Sequence, residues 1–372
     1  MKIALIVPGG VDRSGDRRVI PALLALLKRL GARHDVHVYA LRQEPVPGYW
    51  PLLGVQVHNI GGRSARWGLL RAVATIRAEH RVAPFDLLHA IWSGHCGMVA
   101  VSAARLLGVP SAVHVAGGEL VALPVIHYGG RLTWRGRLRE ALVLRGATRV
   151  TAASEPMLAQ LAKLGSTAQR LPLGVDLETW PSRPPQRRDT NAPLRLIHVA
   201  SLNRVKDQAT LLRAVALLAR RGIDFHLDIV GEDTLGEEMQ IMARQLDLAS
   251  QTTFHGFLTH TQLRPLLAQA HVHLVTSMHE AGPLALLEAA TLGVPSVGTR
   301  VGHLAEWAPH AALAVEVGDA PALCEAIERV GRDEDFRLRL AHEANRRAIR
   351  EDADHTFTLV EALYGALTAG GV

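Results

Sequence analysis

Two glutamates, Glu280 and Glu288, bracket an Ala-Gly-Pro turn in the stretch Ser277 to Pro295. Ahead of them, His271 to Thr276 alternates apolar positions and reads as a buried strand. Pro283 suits the first position of a helix, where no N–H is needed. Leu284 to Leu292 then reads as a short apolar helix stopped by Gly293 and Pro295. Strand, tight turn and helix N-terminus together leave free N–H groups at a positive dipole end, an anion site suited to a diphosphate. The amides of Leu284 and Ala285, next to Gly282 and Pro283, would supply it. Glu280 sits on the turn. Glu288, roughly two turns further on, would face a ligand lying along the helix. A carboxylate accepts two hydrogen bonds side by side, which suits a vicinal diol such as a ribose. The same residues also serve an ordinary α/β crossover with two solvated glutamates, and spacing alone does not separate the two readings.

Ser277-x-x-Glu280-x7-Glu288, followed by Ala289 and Gly293-Val-Pro295, resembles the signature of the retaining GT-B glycosyltransferases, family four in the usual classification. The resemblance extends along the chain. It implies a GT-B fold: α/β, two Rossmann-like domains facing across a cleft, with a C-terminal helix crossing back to the first.

The composition allows this. The chain has 372 residues, 48% hydrophobic and 20% charged, enough for two domains of ordinary size. Two cysteines, Cys96 and Cys324, exclude a disulfide framework and suit a reducing cytosol, so a cytoplasmic location is expected. The apolar start Met1 to Pro8 is short for a signal peptide, and no run is long enough to span a membrane. Residues 1–178 carry 22 Lys+Arg against 11 Asp+Glu; residues 179–372 carry 19 against 24. The basic half favours an anionic surface or a solvated arginine-rich face. Aromatics are only 4%, so stacking platforms for single-stranded nucleic acid are not evident and no nucleic-acid partner is expected.

Lys2 to Val7, the loop Pro8 to Gly15 and the apolar run Ile20 to Leu30 form strand, glycine loop and helix, without the dinucleotide fingerprint. The resemblance places Gly10 near the donor phosphate and Gly15 near the acceptor. Strands are expected at 36–40, 55–60, 87–90 and 111–115, with helices at 69–79 and 97–107. Parallel strands put function at their carboxyl ends. At the last of these ends the relatives place a histidine directly before a glycine; here that position is Ala116. His114, two residues earlier on the same strand face, is the remaining catalytic candidate, or else a core histidine. Gly117, Gly118, Glu119 and His95 are candidate contacts to sugar or acceptor. Segment 131–149, with arginines and Trp134 among leucines at helical spacing, is the candidate for peripheral contact with an anionic membrane, or a solvated helix.

The proline-bearing stretch 179–193 reads as a linker between domains 1–178 and 194–354, with 355–372 as the crossing helix. Beyond it, Ala200 to Ala214 resembles the family's Gly-Arg-Leu-x-x-x-Lys-Gly segment. Lys206 matches the lysine, Ser201 stands at the arginine's position, and Arg204 lies nearby. The resemblance places both cations on the diphosphate, with Glu280 on the sugar hydroxyls, Glu288 on the ribose and Gly231 at a donor-side turn. A departing nucleotide diphosphate gains negative charge as the glycosidic bond breaks, and pre-placed cations stabilise it. No Asp-x-Asp or clustered ligand spacing is present, so neither metal nor cofactor is expected. The expected activity is therefore transfer of a sugar, with retention, from a nucleotide diphosphate sugar to an acceptor glycan, lipid or small molecule. A nucleotide-sugar epimerase and a non-catalytic nucleotide-sugar-binding protein are the alternatives.

Overall fold

Strand Lys2–Val7 (β1) shows how the first sheet is built. Ile3, Leu5 and Val7 point to one face, Ala4 and Ile6 to the other, and all five are fully buried. A strand without a polar side must be covered by helices on both faces. In this computed structural model, which describes residues 1–62 and 65–369, it is. Helices Pro21–Gly31 and Ala353–Ala369 cover one face; Met98–Leu107 covers the other.

The sheet continues with Asp35–Ala40 (β2), Gly48–Leu52 (β3), Val55–Asn59 (β4), Leu87–Ile91 (β5), Ser111–Val115 (β6), Arg149–Ala152 (β7) and Gln169–Arg170 (β8). Its order is β3-β4-β2-β1-β5-β6-β7-β8, parallel except for β3. Chain order reverses between β1 and β5, and such a reversal opens a crevice at the strands' carboxyl ends. Sequence patterning did not indicate β3, because Gly48 and Pro51 break it. It survives as an edge strand, where a missing N–H matters little. Leu53 and Gly54, with φ of 50° and 82°, close the two-residue hairpin to β4.

The second sheet comprises Leu194–Val199 (β9), Phe225–Val230 (β10), Thr252–Gly256 (β11), Val272–Val275 (β12), Ser296–Thr299 (β13) and Ala312–Val315 (β14). It is parallel throughout in the order β11-β10-β9-β12-β13-β14, reversing between β9 and β12.

Two compact units result, residues 1–174 with 353–372, and residues 175–352. The last helix belongs to the first unit. Tyr364 and Phe357 lie in its core, Tyr364 Oη meets His89 Nδ1 at 2.8 Å, and Thr356 Oγ1 donates to the Pro172 carbonyl at 2.8 Å. Residues 370–372, the end of the expected crossing segment, lie outside the described residues.

Segment 179–193, read above as a linker, is bound along the second unit. Trp180 is buried among Leu286, Leu292 and Ala344. Arg183 N donates to the Thr291 carbonyl at 3.0 Å, and Arg337 donates to the Gln186 carbonyl at 2.6 Å. Prolines lack donors, so this strap is held by groups elsewhere in the chain, which a local reading does not see. Trp180→Ala should therefore lower the second unit's stability by about 3–5 kcal/mol in urea unfolding. A change within about 0.5 kcal/mol, the usual surface effect, would mean an unanchored segment.

Candidate functional site

The second sheet's reversal point gathers the residues named first. The chain leaves β9 into the loop 200–207 and leaves β12 into the turn 276–283. Hydrogen bonds join the two: Met278 N donates to the Val205 carbonyl at 2.7 Å, and the Thr276 hydroxyl donates to the Lys206 carbonyl at 2.9 Å. Lys206 Nζ consequently lies 2.5 Å from Glu280 Oε1. Ser277 Oγ donates to the same oxygen at 2.6 Å. Three residues that are far apart or differently typed in sequence thus meet at one atom.

Glycines shape the turn. A Cβ on Gly282 would lie 2.6 Å from His303 Nε2, so the turn packs flat against that buried ring. Gly302, at φ 47°, lies against Glu280 and Pro283, each 3.1 Å from where its Cβ would be. The sequence reading had not given Ser277, Gly302 or His303 a part in this; Ser277 was legible as the first residue of the motif, whereas the His303 contact depends on a long-range fold.

Pro283 is the N-cap of helix Leu284–Thr291, one position earlier than expected. The Leu284 and Ala285 amides open the helix and have no hydrogen-bond partner among the described residues. Glu288 lies on this helix, 6% exposed. Its carboxyl has no hydrogen-bond partner among the described residues, and burial alone pushes its pKa up to about 7. A buried acid without a partner is costly, and such groups concentrate where a ligand supplies the partner.

Other candidates are placed differently. Arg204 does not join Lys206: its guanidinium pairs with Glu238 at 2.8 Å, on an exposed flank. The loop turns between the two residues, and the guanidinium fork takes the nearest carboxylate. Gly231, at φ 152°, is required by the fold, because its Cβ would lie 2.0 Å from the Ala200 carbonyl oxygen.

In the first unit, His114 is not a catalytic group. It is fully buried within β6, its Nδ1 is 2.9 Å from Thr151 Oγ1, and burial lowers its pKa to about 4. No substrate can touch it. Gly10, at φ 81°, packs on Ile20 and accepts a bond from its N–H at 3.1 Å. Gly15, at φ 67°, closes a turn on the Asp12 carbonyl. Gly118 lies flat on Tyr128, and Gly117 faces Glu119 and Trp92. Glu119 Oε1 accepts from Ser93 N at 3.0 Å, and His95 Nε2 meets Arg139 at 3.3 Å.

Comparison with known proteins agrees with this architecture. Residues 15–174 match the model of the glycosyl transferase 4-like domain, and residues 182–347 match that of the glycosyl transferases group 1. EpsF of Bacillus subtilis is 28% identical over 80% of this chain and 78% of its own length. The D-inositol 3-phosphate glycosyltransferase of Pseudarthrobacter chlorophenolicus is 26% identical over 96% of this chain and 92% of its own. Among solved structures, sucrose-phosphate synthase from Thermosynechococcus elongatus superposes with a TM-score of 0.84 at 19% identity, covering 100% of both chains. Anabaena HepE in complex with UDP-glucose gives 0.75 at 17% identity, covering 98% and 99%. At such identities the likeness shows the fold, which is GT-B. The chain belongs to the group 1 glycosyltransferases and is a glycosyltransferase.

The Glu288 carboxyl has a signature of its own. Unfolded, it would release its proton near its ordinary 4.5; folded, it holds the proton to about 7. Its contribution to stability is present below pH 4.5, is lost as pH rises through 7 and stays lost above. Glu288→Gln should accordingly raise the unfolding temperature by several degrees at pH 8 and leave it unchanged at pH 4.5, as read by calorimetry at the two pH values. Equal shifts at both would mean that the carboxyl is not charged against burial.

Proposed function

We propose that this glycosyltransferase moves a sugar from a nucleotide diphosphate sugar to an acceptor with retention of configuration, using neither metal nor cofactor. The observation that carries the reading is Lys206 on Glu280 beside an open helix start. In this reading the donor's diphosphate draws the ammonium from Glu280 and takes the Leu284 and Ala285 amides. Glu280 is then free for the sugar hydroxyls, and Glu288 receives the ribose diol that its buried position lacks. The leaving phosphate oxygen takes the acceptor's proton, so no protein base is required, and the loss of His114 from the catalytic set removes nothing essential. Arg204 can still turn toward the phosphates, because an exposed ion pair holds it by no more than about 1 kcal/mol. HepE, which shares the fold, has been solved with UDP and with UDP-glucose, and this supports a nucleotide sugar as donor here.

The first unit holds the acceptor in this reading. Its helix Trp134–Gly146 is built inside out: it buries Gly136, Glu140 and Val143 and exposes Trp134, Leu138 and Leu142. Arg131, Arg137, Arg145 and Arg149 line a hollow of about 950 Å³ beside it. An apolar stripe among arginines suits the surface of an anionic bilayer. Among the described residues no helix is long and apolar enough to cross one. From the arginine-flanked stripe and the cysteine usage we infer a cytoplasmic place of action, against the inner membrane face.

A panel of radiolabelled nucleotide sugars, supplied without acceptor, tests the chemistry. Slow hydrolysis of one donor is expected; tight binding without turnover, or inversion at a ring carbon, would overturn it. Lys206→Ala should lower kcat for that donor by roughly 10²–10³, the usual loss when one charge partner of a transition state is removed. Glu288→Ala should abolish donor binding with the fold intact, and wild-type affinity would exclude its ribose role. Vesicles containing an anionic phospholipid should retain the protein at low salt and release it at high salt, and failure to retain it removes the membrane contact.

A further inference from the structure

Three helices of the first unit cover the sheet face that carries Ala4 and Ile6: Ala65–Val82, Met98–Leu107 and Trp134–Gly146. Each joins one strand to the next in the chain, so they lie side by side. On Ala65–Val82 the core takes Leu69, Ala72 and Ile76. One such stripe is all that a surface helix needs. A second stripe, Leu70, Ala74 and Ala78, continues beside it and meets no part of the core. It forms one wall of a trough of about 550 Å³ whose other wall is Met98, Ser102 and Leu106. Leu70 is 57% exposed and Leu106 53%. A contiguous apolar patch of this kind, left open to water, marks an interaction surface.

The rim of the trough is basic. Arg77 and Arg81 line it, and Arg105 stands next to Leu106 on the opposite helix. None of the three has a hydrogen-bond or carboxylate partner among the described residues. The two helices contain a single acid, Glu79, and Lys2 Nζ already holds it at 2.6 Å. A lone exposed arginine is ordinary. Three unpaired ones around an apolar floor, with no acid in the lining, set two requirements for whatever lies there: apolar side chains below and carboxylates at the edges.

We propose that this trough docks an amphipathic helix of a partner protein, apolar at positions i, i+3, i+4 and i+7 and flanked by Glu or Asp. A groove between two adjacent helices is the shape that the side-chain ridge of a third helix fills. Ala74, Ala78 and Ser102 keep the walls short, so the visiting backbone comes close. Arg77 and Arg81 are one helical turn apart, and acids one turn apart on the visitor meet both. Other occupants fit less well. A bilayer surface suits the proud stripe of Trp134, Leu138 and Leu142 on the third helix, whereas it would bridge a trough without filling it. A second copy docked through the same face would set arginines against arginines. The inference is independent of the donor chemistry, since no residue of the second unit enters it.

The test is an anisotropy titration of the full chain against a fluorescein-labelled amphipathic peptide, leucines on one face and glutamates on both flanks. The control peptide carries lysine at every glutamate. The glutamate peptide should bind saturably in the micromolar range, and the lysine peptide roughly tenfold more weakly or worse. Ser102→Trp, which fills the trough from an exposed position, should abolish binding while circular dichroism and melting temperature stay as in the wild type. Arg77→Glu combined with Arg81→Glu should reverse the preference between the two peptides, which mere loss of structure does not do. No saturable binding, no preference between the peptides, or undiminished binding in folded Ser102→Trp would overturn the proposal. So would loss of binding to anionic phospholipid vesicles in Ser102→Trp, which makes the occupant a bilayer. A dimer in sedimentation equilibrium that Ser102→Trp dissociates would overturn it too, by making the occupant a second copy.

Discussion

The contact between Lys206 and Glu280 is the constraint around which the second unit is arranged. One residue follows β9 and the other follows β12, the two strands that flank the reversal of chain order. Holding an ammonium on a carboxylate at this spot keeps a cation beside the open start of helix Leu284–Thr291 without leaving it bare. Everything nearby serves that arrangement. Ser277 orients the carboxylate, the Val205 and Lys206 carbonyls tie the two loops together, and Gly282 and Gly302 let the turn lie close against a buried histidine.

Much of this could be read from the chain alone, and the failures share a cause. Ser111–Val115 was bounded without error, because Ala112, Val113 and Val115 lie between Pro110 and the glycines after Ala116. The Ser277 to Glu288 motif was legible because its strand, turn and helix are consecutive. In three places the group that decides is distant in sequence. Arg204 was expected beside Lys206, yet it pairs with Glu238. The stretch 179–193 reads as a linker, and Thr291, Arg337 and Asn345 hold it. His114 looked reachable from a strand end, yet the sheet closes over it. Local pattern reports what a segment can form and is silent about which side chain will find it.

Both units reverse chain order within the sheet, and both bury acids. Glu288 in the second and Glu119 with Glu140 in the first all have their carboxyls pushed upward by burial. Stability alone would replace each by an apolar side chain of similar volume. A fold that keeps three such groups is less stable in water than it could be.

The helix Ala353–Ala369 completes the core of a unit whose other residues come first in the chain. During synthesis, Leu23, Leu26 and Leu30 emerge early and wait for Phe357, Val360 and Leu363, while the whole second unit is made in between. That middle unit can close before the one that precedes it. The early unit meanwhile keeps an oily flank open to chaperones, and to its copies in a crowded polysome, until residues 353–369 have been made.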